Sequence, residues 1–398
     1  MTTNNDSNPS KKKSIRLAPL PELISMNVVG GLSSIVQAVD LIKAKTLHED
    51  HGLTGAGMVA AVIDTGFFRE HDGFKFQDGT SGSRIGEGTG IPASRPLNQE
   101  PAHGTAVAAL ICARFGSRIG VAPDAEIDPI AVGANSDVES SFKYISKALQ
   151  LVIEKVEAGS KISVVNLSHG DMGNYKDEEE AMDAAGGLRP KFEEIAQSIK
   201  RLEELNVPVV VASGNSYGED AQPGMCFPAI LQNTISVGGV LSSARDSNGA
   251  TSVIYNTPGR PSTRFRVVDH IAPFAQRLGT DHDGDHFTNF LGPATPINSL
   301  GTTDADGNPD PQAVVLDAHG TSFAAPAVAG VILLLQQWCK EKSLARPTVQ
   351  KIKDWLSVGE TISDADHSDD DVPGTGSSFT RIDAQKAFDA MVNELSSS

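Results

Sequence analysis

The chain has 398 residues, of which 39% are hydrophobic and 21% are charged, an ordinary composition for a globular protein with an ample core. The formal net charge of −17 argues against a nucleic-acid partner, because such partners are bound by basic surfaces. Three cysteines are too few, and odd in number, for a disulfide framework, and they indicate a reducing compartment.

The first 35 residues are predicted to form an N-terminal extension that precedes the folded domain. Residues 1–15 are polar and rich in lysine, which is typical of disorder. The following segment, Arg16–Ile24, is interrupted by prolines and is therefore predicted to be extended. These prolines also break the apolar stretch that a secretory signal needs, and no later segment is a convincing membrane span. We therefore expect a cytoplasmic protein with no membrane partner.

Strand and helix patterns alternate along the rest of the chain. A helical pattern covers residues 33–48, and the apolar run Met58–Ile63, closed by Asp64, predicts a strand buried on both faces. Further elements are predicted as strands at 126–132, 162–167, 207–212 and 234–240, and as helices at 140–158 and 191–205. The alternation implies right-handed crossovers, and so an α/β fold with a mainly parallel sheet covered by helices on both faces.

A serine near the C-terminal end opens the longest apolar stretch of the chain. The segment Gly320–Pro326 runs into Ala327–Leu335, which predicts a helix buried on every side. Ser322 lies at the N-terminus of this helix, where partial positive charge helps to hold a developing oxyanion. Taken alone, Ser322 is more simply interpreted as a residue that caps a core helix.

Three further polar residues stand next to buried elements in a similar way. Asp64 ends a strand, His103 opens an apolar helix, and Asn215 follows the strand at 207–212. Taken singly, Asp64 could be a turn residue and His103 a structural histidine. Together with Ser322 they supply what acyl transfer requires, namely a nucleophile, a base, a carboxylate that orients the base and an amide that donates to the oxyanion.

These residues stand in segments that resemble the subtilisin-like serine peptidase family, the subtilases, from Thr54 to the C-terminal region. The matching segments are Val62–Gly66, His103–Thr105, Gly120–Pro123, Val165–Gly170, Ala212–Asn215, Gly320–Pro326 and Phe379–Ala384. The order of Asp, His and Ser along the chain is also that of the family. The chain is thus identified as a member of the subtilases, of the intracellular type. The resemblance implies a subtilisin-like three-layer fold and a serine endopeptidase that acts on peptide or protein substrates.

The resemblance also implies a role for each site residue. Asp64, His103 and Ser322 would form the catalytic triad, and Asn215 would donate to the oxyanion. Two short segments would form the walls of the cleft and pair with the substrate backbone, namely Ser168, His169 and Gly170 on one side and Ala212, Ser213 and Gly214 on the other. Cys226 would lie near the base of the S1 pocket, which holds the residue before the scissile bond (P1). Since Cys226 is neutral, we expect a small to medium apolar P1 residue and not a basic one.

The chain departs from the family pattern outside the triad. Alanines replace other residues in the helices that follow His103 and Ser322, at Ala106, Ala109, Ala325 and Ala327. We expect these changes to affect stability and not the chemistry. The loop between the His103 helix and Gly120 lacks the calcium turn of secreted relatives, so a tight calcium site is not expected there.

An acidic segment from Thr280 to Asp317 is longer than its counterpart in the family. Asp281–Asp285 and Asp304–Asp310 resemble calcium loops but lack the EF-hand spacing, so we expect solvated loops, with structural calcium as the alternative. Because the segment precedes Ser322, it is a candidate lid over the primed side of the cleft, which holds the residues after the scissile bond. A second acidic run, Asp364–Asp371, is also predicted to be a solvated loop.

The sequence therefore predicts an N-terminal extension at residues 1–35 and a peptidase domain at residues 36–398. Arg16–Ile24 resembles extensions that lie across the cleft as a latch, with an ordinary disordered tail as the alternative. The expected chemistry requires no cofactor and no metal ligand, and the oligomeric state stays open. Two other functions are considered, a peptide-maturing protease or transpeptidase, in which an amine resolves the acyl-enzyme, and a non-catalytic binding protein of the same fold.

Overall fold

The computed structural model describes residues 35–133, 138–242, 253–255, 263–265, 269–281, 284, 286–295, 297–365 and 372–397. The predicted extension lies outside the described residues except for its last residue, Ile35, so the division at residue 35 and the proposed latch stay predictions. The described residues fold into a large twisted sheet with helices on both of its faces, as the sequence predicts.

The strands of the described residues are β1 (Val59–Asp64), β2 (Thr89–Ile91), β3 (Arg114–Phe115), β4 (Arg118–Ile119), β5 (Glu126–Val132), β6 (Ile162–Leu167), β7 (Val209–Ala212), β8 (Ile235–Leu241), β9 (Val253–Tyr255), β10 (Thr263–Phe265), β11 (Phe290–Thr295), β12 (Ile297–Leu300), β13 (Val314–Ala318), β14 (Glu360–Ser363) and β15 (Ser378–Arg381). Nine of them form one sheet in the order β14-β15-β11-β8-β7-β6-β1-β5-β2. In this sheet β14 and β15 are antiparallel, and the other pairings are parallel.

The α-helices of the described residues are α1 (Ile35–Leu41), α2 (Ala44–His51), α3 (Ala102–Cys112), α4 (Val138–Glu157), α5 (Glu178–Ala185), α6 (Arg189–Glu204), α7 (Tyr217–Asp220), α8 (Thr321–Glu341), α9 (Val349–Leu356) and α10 (Ala384–Ser396). Short 3₁₀ turns lie at Asp72–Phe74 and Gly186–Leu188. The predicted helix at 33–48 is in fact two helices, because Lys43 adopts a left-handed conformation with φ of 59° between α1 and α2.

Alternate residues of the central strand β1 face two separate hydrophobic cores. Ala60 and Val62 belong to the core that contains residues of α3, α8 and α10. Ala61 and Ile63 belong to the core that contains residues of α4 and α6. Successive side chains of a strand point to opposite faces, so a strand covered on both sides must be apolar throughout. The continuous apolar run before Asp64 therefore reflects a three-layer arrangement.

Helix α8 runs through the larger of the two cores. By length and composition it is the one helix of the described residues that could cross a membrane, yet 94% of its apolar window is buried inside the protein. It is therefore a core helix, as the sequence predicts. Gly330 allows its close approach to the neighbouring chain, since a Cβ at Gly330 would lie 2.6 Å from the Cβ of Val121.

The long acidic segment contains a hairpin that packs against helix α3. Strands β12 and β13 pair antiparallel, and the Ser299 hydroxyl donates to the carbonyl of Ala106 over 2.9 Å. In the connection between the two strands, Asp304 Oδ1 accepts the backbone N–H groups of Asp306 and Asn308, both at 2.9 Å. The Asp304 carboxylate therefore stabilises its own exposed turn.

The prediction that Asp364 belongs to a solvated loop is wrong. Its carboxylate is 2% exposed and forms two hydrogen bonds of 3.0 Å with the Arg277 guanidinium. Burial would raise the pKa of Asp364, but the charge of Arg277 and the hydrogen bonds from Arg277 and Thr375 together outweigh it and lower the pKa. No local pattern indicates this pair, because its partners lie 87 positions apart. Residues 366–371 of the acidic run lie outside the described residues.

Candidate active site

Strand β1 delivers a fully buried carboxylate to the carboxyl-terminal edge of the sheet. Asp64 is the last residue of β1, and its Oδ1 accepts the N–H of Thr65 over 2.7 Å. This edge is where open α/β sheets place their sites. The side chain of Asp64 has no solvent exposure, so the charge of its carboxylate must be balanced by polar neighbours.

Helix α3 places an imidazole against this carboxylate. His103 is the second residue of α3, and its Nδ1 lies 2.8 Å from Asp64 Oδ1, within hydrogen-bond distance. The next residue, Gly104, permits the approach, because a Cβ there would lie 2.3 Å from the carbonyl oxygen of Gly66 and 3.0 Å from the Asp64 Cβ. A larger residue at position 104 would push the helix, and with it His103, away from the strand.

A second imidazole approaches the same carboxylate. His169 Nε2 lies 3.7 Å from Asp64 Oδ1, and its ring centroid lies 6.0 Å from that of His103. Burial alone would raise the pKa of Asp64, but the positive charges available on His103 and then on His169 outweigh it and hold the pKa well below its ordinary value. The Asp64 carboxylate is therefore ionised at neutral pH.

Helix α8 brings Ser322 to the same edge. Ser322 is the second residue of α8, and its Oγ lies 3.4 Å from the carbonyl oxygen of Ser168, a weak hydrogen bond. The Phe323 ring, next along the helix, lies 6.0 Å from the His103 ring. His103 Nε2, on the far side of its ring from Asp64, is buried and has no hydrogen-bond partner among the described residues.

Pro326 couples α8 to the strand segment that contains Ser168. A proline in a helix has no N–H for the carbonyl four residues earlier, which here is the carbonyl of Ser322. That carbonyl instead accepts the Ser168 hydroxyl over 2.9 Å, and Ser168 Oγ accepts Asn166 Nδ2 over 3.0 Å. The first predicted cleft segment is thereby attached directly to the segment that contains Ser322.

Asn215 lies beside the N-terminus of α8 with its amide in a fixed orientation. Its Oδ1 accepts both the N–H and the hydroxyl of Thr321, over 2.9 and 3.0 Å. Because a backbone N–H can only donate, the oxygen must face Thr321, and Nδ2 is left to donate elsewhere. Gly320 gives the required space, since it has a φ of 134° and a Cβ there would lie 3.3 Å from Nδ2.

The second predicted cleft segment is fixed to the same helix terminus. The Gly214 N–H donates to the Thr321 hydroxyl over 3.2 Å, and the Ser213 hydroxyl donates to the carbonyl of Gln276. Cys226 is buried behind this segment, with its Sγ 3.4 Å from the carbonyl oxygen of Ala212. Burial, and then the nearby Asp171 carboxylate, raise the pKa of Cys226, so it is a neutral thiol, as the sequence analysis assumed.

The comparisons with known proteins agree with this geometry. The sequence model of the Subtilase family matches residues 55–357. The chain belongs to the subtilase family. The major intracellular serine protease of Bacillus subtilis is 24% identical over 335 residues, which cover 83% of each chain. The intracellular serine protease of Paenibacillus polymyxa is 23% identical over 338 residues, again 83% of each chain.

Two other relatives differ more in length or sequence. Human membrane-bound transcription factor site-1 protease is 25% identical over 326 residues, and this subtilase spans a quarter of that protein's length. Among solved structures, the prenylagaramide maturation protease PagA superposes with a TM-score of 0.55 at 20% identity, and the match covers 88% of this chain and 98% of PagA. The fold is therefore that of the subtilases, and the chain is a subtilisin-like serine endopeptidase.

Several residues that shape the site of this subtilase were not predicted from the sequence. Thr321 orients the Asn215 amide, and Gln276 joins the cleft segment at Ser213 to Gly173, which follows the other cleft segment. A pocket of about 400 Å³ lies beside His103 and is lined by residues of α3, of the α8 N-terminus and of the hairpin formed by β12 and β13, among them Ala106, Val314 and Phe323. Each of these contacts joins segments that are distant in sequence, so no local pattern marks them.

Asp64, His103 and His169 are also the one group of the described residues that could hold a metal ion, with ligand atoms within 4.8 Å of one another. Two imidazoles and a carboxylate are a donor set that suits zinc. In this subtilase, however, the shortest contact within the group is the hydrogen bond between Asp64 and His103, which a metal ion would have to replace. The arrangement fits a proton relay better than a metal site.

Proposed function

We propose that this subtilase hydrolyses peptide bonds through an acyl-enzyme formed on Ser322, with Asp64 and His103 completing the triad. The observation that supports this most directly is the 2.8 Å contact between His103 Nδ1 and Asp64 Oδ1. A carboxylate at Nδ1 keeps the proton on that nitrogen, so Nε2 is unprotonated and can act as a base. Nε2 has no other partner in the described part of the chain.

In the first step, Ser322 Oγ attacks the substrate carbonyl carbon while His103 Nε2 takes the hydroxyl proton. The hydroxyl must turn away from the carbonyl of Ser168, and the 3.4 Å contact between them is weak enough to allow this. Catalytic hydrogen bonds are often long without substrate and shorten when it binds. His103 then protonates the leaving amine, and water attacks the acyl-enzyme with His103 again as the base.

The negative charge of the tetrahedral intermediate is proposed to be held by Asn215 Nδ2 and by the N-terminus of α8. The Asn215 amide is oriented before substrate arrives, because Thr321 holds its oxygen with two hydrogen bonds. A donor that needs no reorganisation stabilises the oxyanion most effectively. The positive end of the α8 dipole adds to the same effect.

The substrate is proposed to be an extended peptide that lies between the segments Ser168–Gly170 and Ala212–Gly214. Hydrogen bonds between such segments and the substrate main chain form with many peptide sequences, so they supply affinity. Preference for particular side chains then comes from the pockets. This chemistry requires no cofactor. The acidic turn at Asp304 is proposed to be a solvated loop, because its carboxylate already binds its own turn.

We place the enzyme in the cytoplasm. Two relatives that match 83% of their own length are named as intracellular serine proteases, which supports this location. All three cysteines are free and buried, as suits a reducing compartment.

A second candidate function is peptide maturation, including transpeptidation. One structural relative is named a maturation protease, and the same triad would serve both reactions, since they differ only in whether water or a substrate amine attacks the acyl-enzyme. Nothing in the triad geometry favours the amine, so hydrolysis is the first choice.

Labelling with a fluorophosphonate probe tests the proposal. The wild-type protein should be labelled, and both labelling and peptide cleavage should be lost in Ser322→Ala, with circular dichroism as the control for folding. A folded wild-type protein that takes no label would instead be a binding protein.

Mass spectrometry of products formed with an added peptide amine separates the two enzymatic functions, because a transpeptidase gives ligated peptides and a hydrolase gives free acids.

A further inference from the structure

Gln276 packs against Gly214 in one of the two segments proposed to bind the substrate. It has no solvent exposure, although it belongs to an irregular segment that leads from β8 toward β11. Its backbone N–H donates to the carbonyl of Gly214 over 2.9 Å, and its own carbonyl accepts the Ser213 hydroxyl. The main chain of Gln276 is thus attached to one wall of the cleft.

The amide of Gln276 reaches across to the other side. Its Nε2 donates to the carbonyl of Gly173 over 2.8 Å and to Asn174 Oδ1 over 2.9 Å, and both acceptors follow shortly after Gly170 in the chain. Its Oε1 accepts the N–H of Ser216 in a longer contact of 3.4 Å. The amide therefore donates both of its N–H groups, one to Gly173 and one to Asn174, and these hydrogen bonds hold the side chain in one orientation.

Gln276 and Cys226 occupy the space beside the glycines of the two walls. A Cβ at Gly214 would lie 1.9 Å from Gln276 Oε1 and 3.1 Å from the Cys226 Cβ. A Cβ at Gly170, in the opposite wall, would lie 2.6 Å from Cys226 Sγ. Cys226 therefore packs against the glycines of both walls, and the Gln276 amide packs against Gly214.

We propose that Gln276, with Cys226 beneath it, closes the S1 subsite, and that this subtilase cleaves after small residues, namely glycine, alanine and serine. The inference rests on the proposed function and adds its substrate class. A leucine or phenylalanine at P1 would have to displace Gln276. The buried N–H groups of its amide would then lose both acceptors, and such losses are costly in a protein interior. A subsite closed by a hydrogen-bonded side chain should therefore exclude large P1 residues more strongly than an apolar pocket that can adjust its size.

A series of peptides that differ only at P1, with glycine, alanine, serine, valine, leucine or phenylalanine, tests this inference. For the wild-type enzyme we expect kcat/KM for alanine to exceed that for phenylalanine by on the order of 10²-fold. In Gln276→Ala this ratio should fall at least about tenfold, because the space vacated by the amide admits the larger side chain. Gln276→Asn, which is one methylene shorter and cannot reach Gly173, should give an intermediate ratio.

Gln336→Ala is the matched control. Gln336 is also a buried glutamine whose Nε2 donates to a backbone carbonyl, that of Ser163 over 3.1 Å. It lies on α8 about four turns beyond Ser322, so its loss should leave the P1 ratio unchanged. A wild-type preference for phenylalanine or leucine would overturn the inference, whether or not the variants fold. A ratio that is equal in Gln276→Ala and wild type would also overturn it. A folded wild-type protein that takes no fluorophosphonate label would refute the proposed function instead.

Discussion

Two imidazoles approach the Asp64 carboxylate, and the proposed mechanism gives the role of base to only one of them. His103 forms the shorter contact, 2.8 Å against 3.7 Å for His169, and its ring contacts Phe323 beside the nucleophile. His169 belongs to a cleft segment whose expected role is carried by its main chain. The two histidines thus share a carboxylate but differ in their relation to Ser322.

Replacement of each histidine in turn separates these roles. His103→Ala is expected to lower kcat by at least about 10³-fold, because the base and the members of a triad act as a unit. His169→Ala is expected to lower it by less than about tenfold, since the Asp64–His103 contact does not depend on His169. Steady-state kinetics on one peptide substrate measures both. Equal losses in the two variants would show that His169 takes part in proton transfer.

The Asn215 amide provides a second prediction at this scale. Asn215→Ala should lower kcat by on the order of 10²–10³-fold with little change in KM, which is the effect of removing one oxyanion donor. Thr321→Val is the matched variant, because it removes one of the two donors that orient the amide and keeps the backbone N–H. It should cost less than about tenfold in kcat. A loss below threefold in Asn215→Ala would contradict the oxyanion role.

Among the elements, helix α8 depends on small residues where it meets its neighbours. Gly330→Ala would bring a Cβ to 2.6 Å from the Val121 Cβ and 2.8 Å from its Cγ1. We expect the free energy of unfolding to fall by about 1–3 kcal/mol, the usual cost of overpacking a core. Chemical denaturation in a Ser322→Ala background measures this without self-digestion.

Two further variants test whether the cost comes from overpacking. Gly187→Ala should change the unfolding free energy by no more than about 1 kcal/mol, because nothing lies within 4 Å of the added Cβ. The double variant Val121→Ala/Gly330→Ala should be more stable than a sum of the two single effects predicts, since the smaller side chain makes room for the new methyl group. Additive effects would argue against a direct clash.

The elements also show what the sequence could predict. Strands β5 and β6 match their predicted bounds, because most of their residues are apolar or buried in spite of the polar residues among them. Strand β11 was missed, since Gly292 and Pro293 interrupt its pattern, although a neighbouring strand on each side holds it in the sheet. The break at Lys43 was also missed, because lysine is ordinarily a good helix former.

In the candidate site, too, residues marked by a local sequence pattern could be predicted and residues placed by long-range contacts could not. Asp64, His103, Asn215 and Ser322 could be found because each stands at the end of an apolar element, where a polar residue is conspicuous. Thr321 and Gln276 were not found. Their roles arise from hydrogen bonds to residues roughly 60 to 106 positions away, which local sequence patterns do not contain.

For the whole molecule, the N-terminal segment Arg16–Ile24 stays a predicted latch. Ala18–Pro19 would offer the small P1 residue that a closed S1 subsite accepts, followed by a proline that hinders cleavage. Deleting residues 1–30 should therefore raise the initial rate on a peptide substrate, while deleting residues 1–9 should not. A synthetic peptide of residues 14–24 should inhibit the shortened enzyme. Identical progress curves for the full-length and shortened proteins would exclude the latch.

The free energy of unfolding should change with pH in part because of Asp171, a buried acid next to the cleft. Asp171 follows Gly170 and is 1% exposed. Its carboxylate accepts the N–H groups of Gly173 and Phe227, over 3.1 and 2.9 Å, and the Tyr175 hydroxyl over 2.6 Å. Burial outweighs these hydrogen bonds and raises the pKa of Asp171 from 3.8 to about 6.

Because its pKa is higher in the folded protein than in the unfolded chain, Asp171 binds its proton more tightly in the folded state. Its contribution to the unfolding free energy is therefore greatest below pH 4 and is lost as the pH rises toward 6. The loss is on the order of 3 kcal/mol. Asp171→Asn cannot titrate, so its stability relative to the parent protein should rise by that amount between pH 4 and pH 7. Denaturant unfolding at several pH values in a Ser322→Ala background measures the difference, with the exposed Asp183→Asn as the control for loss of one negative charge. A difference that is constant across this range would show that folding does not raise the pKa of Asp171.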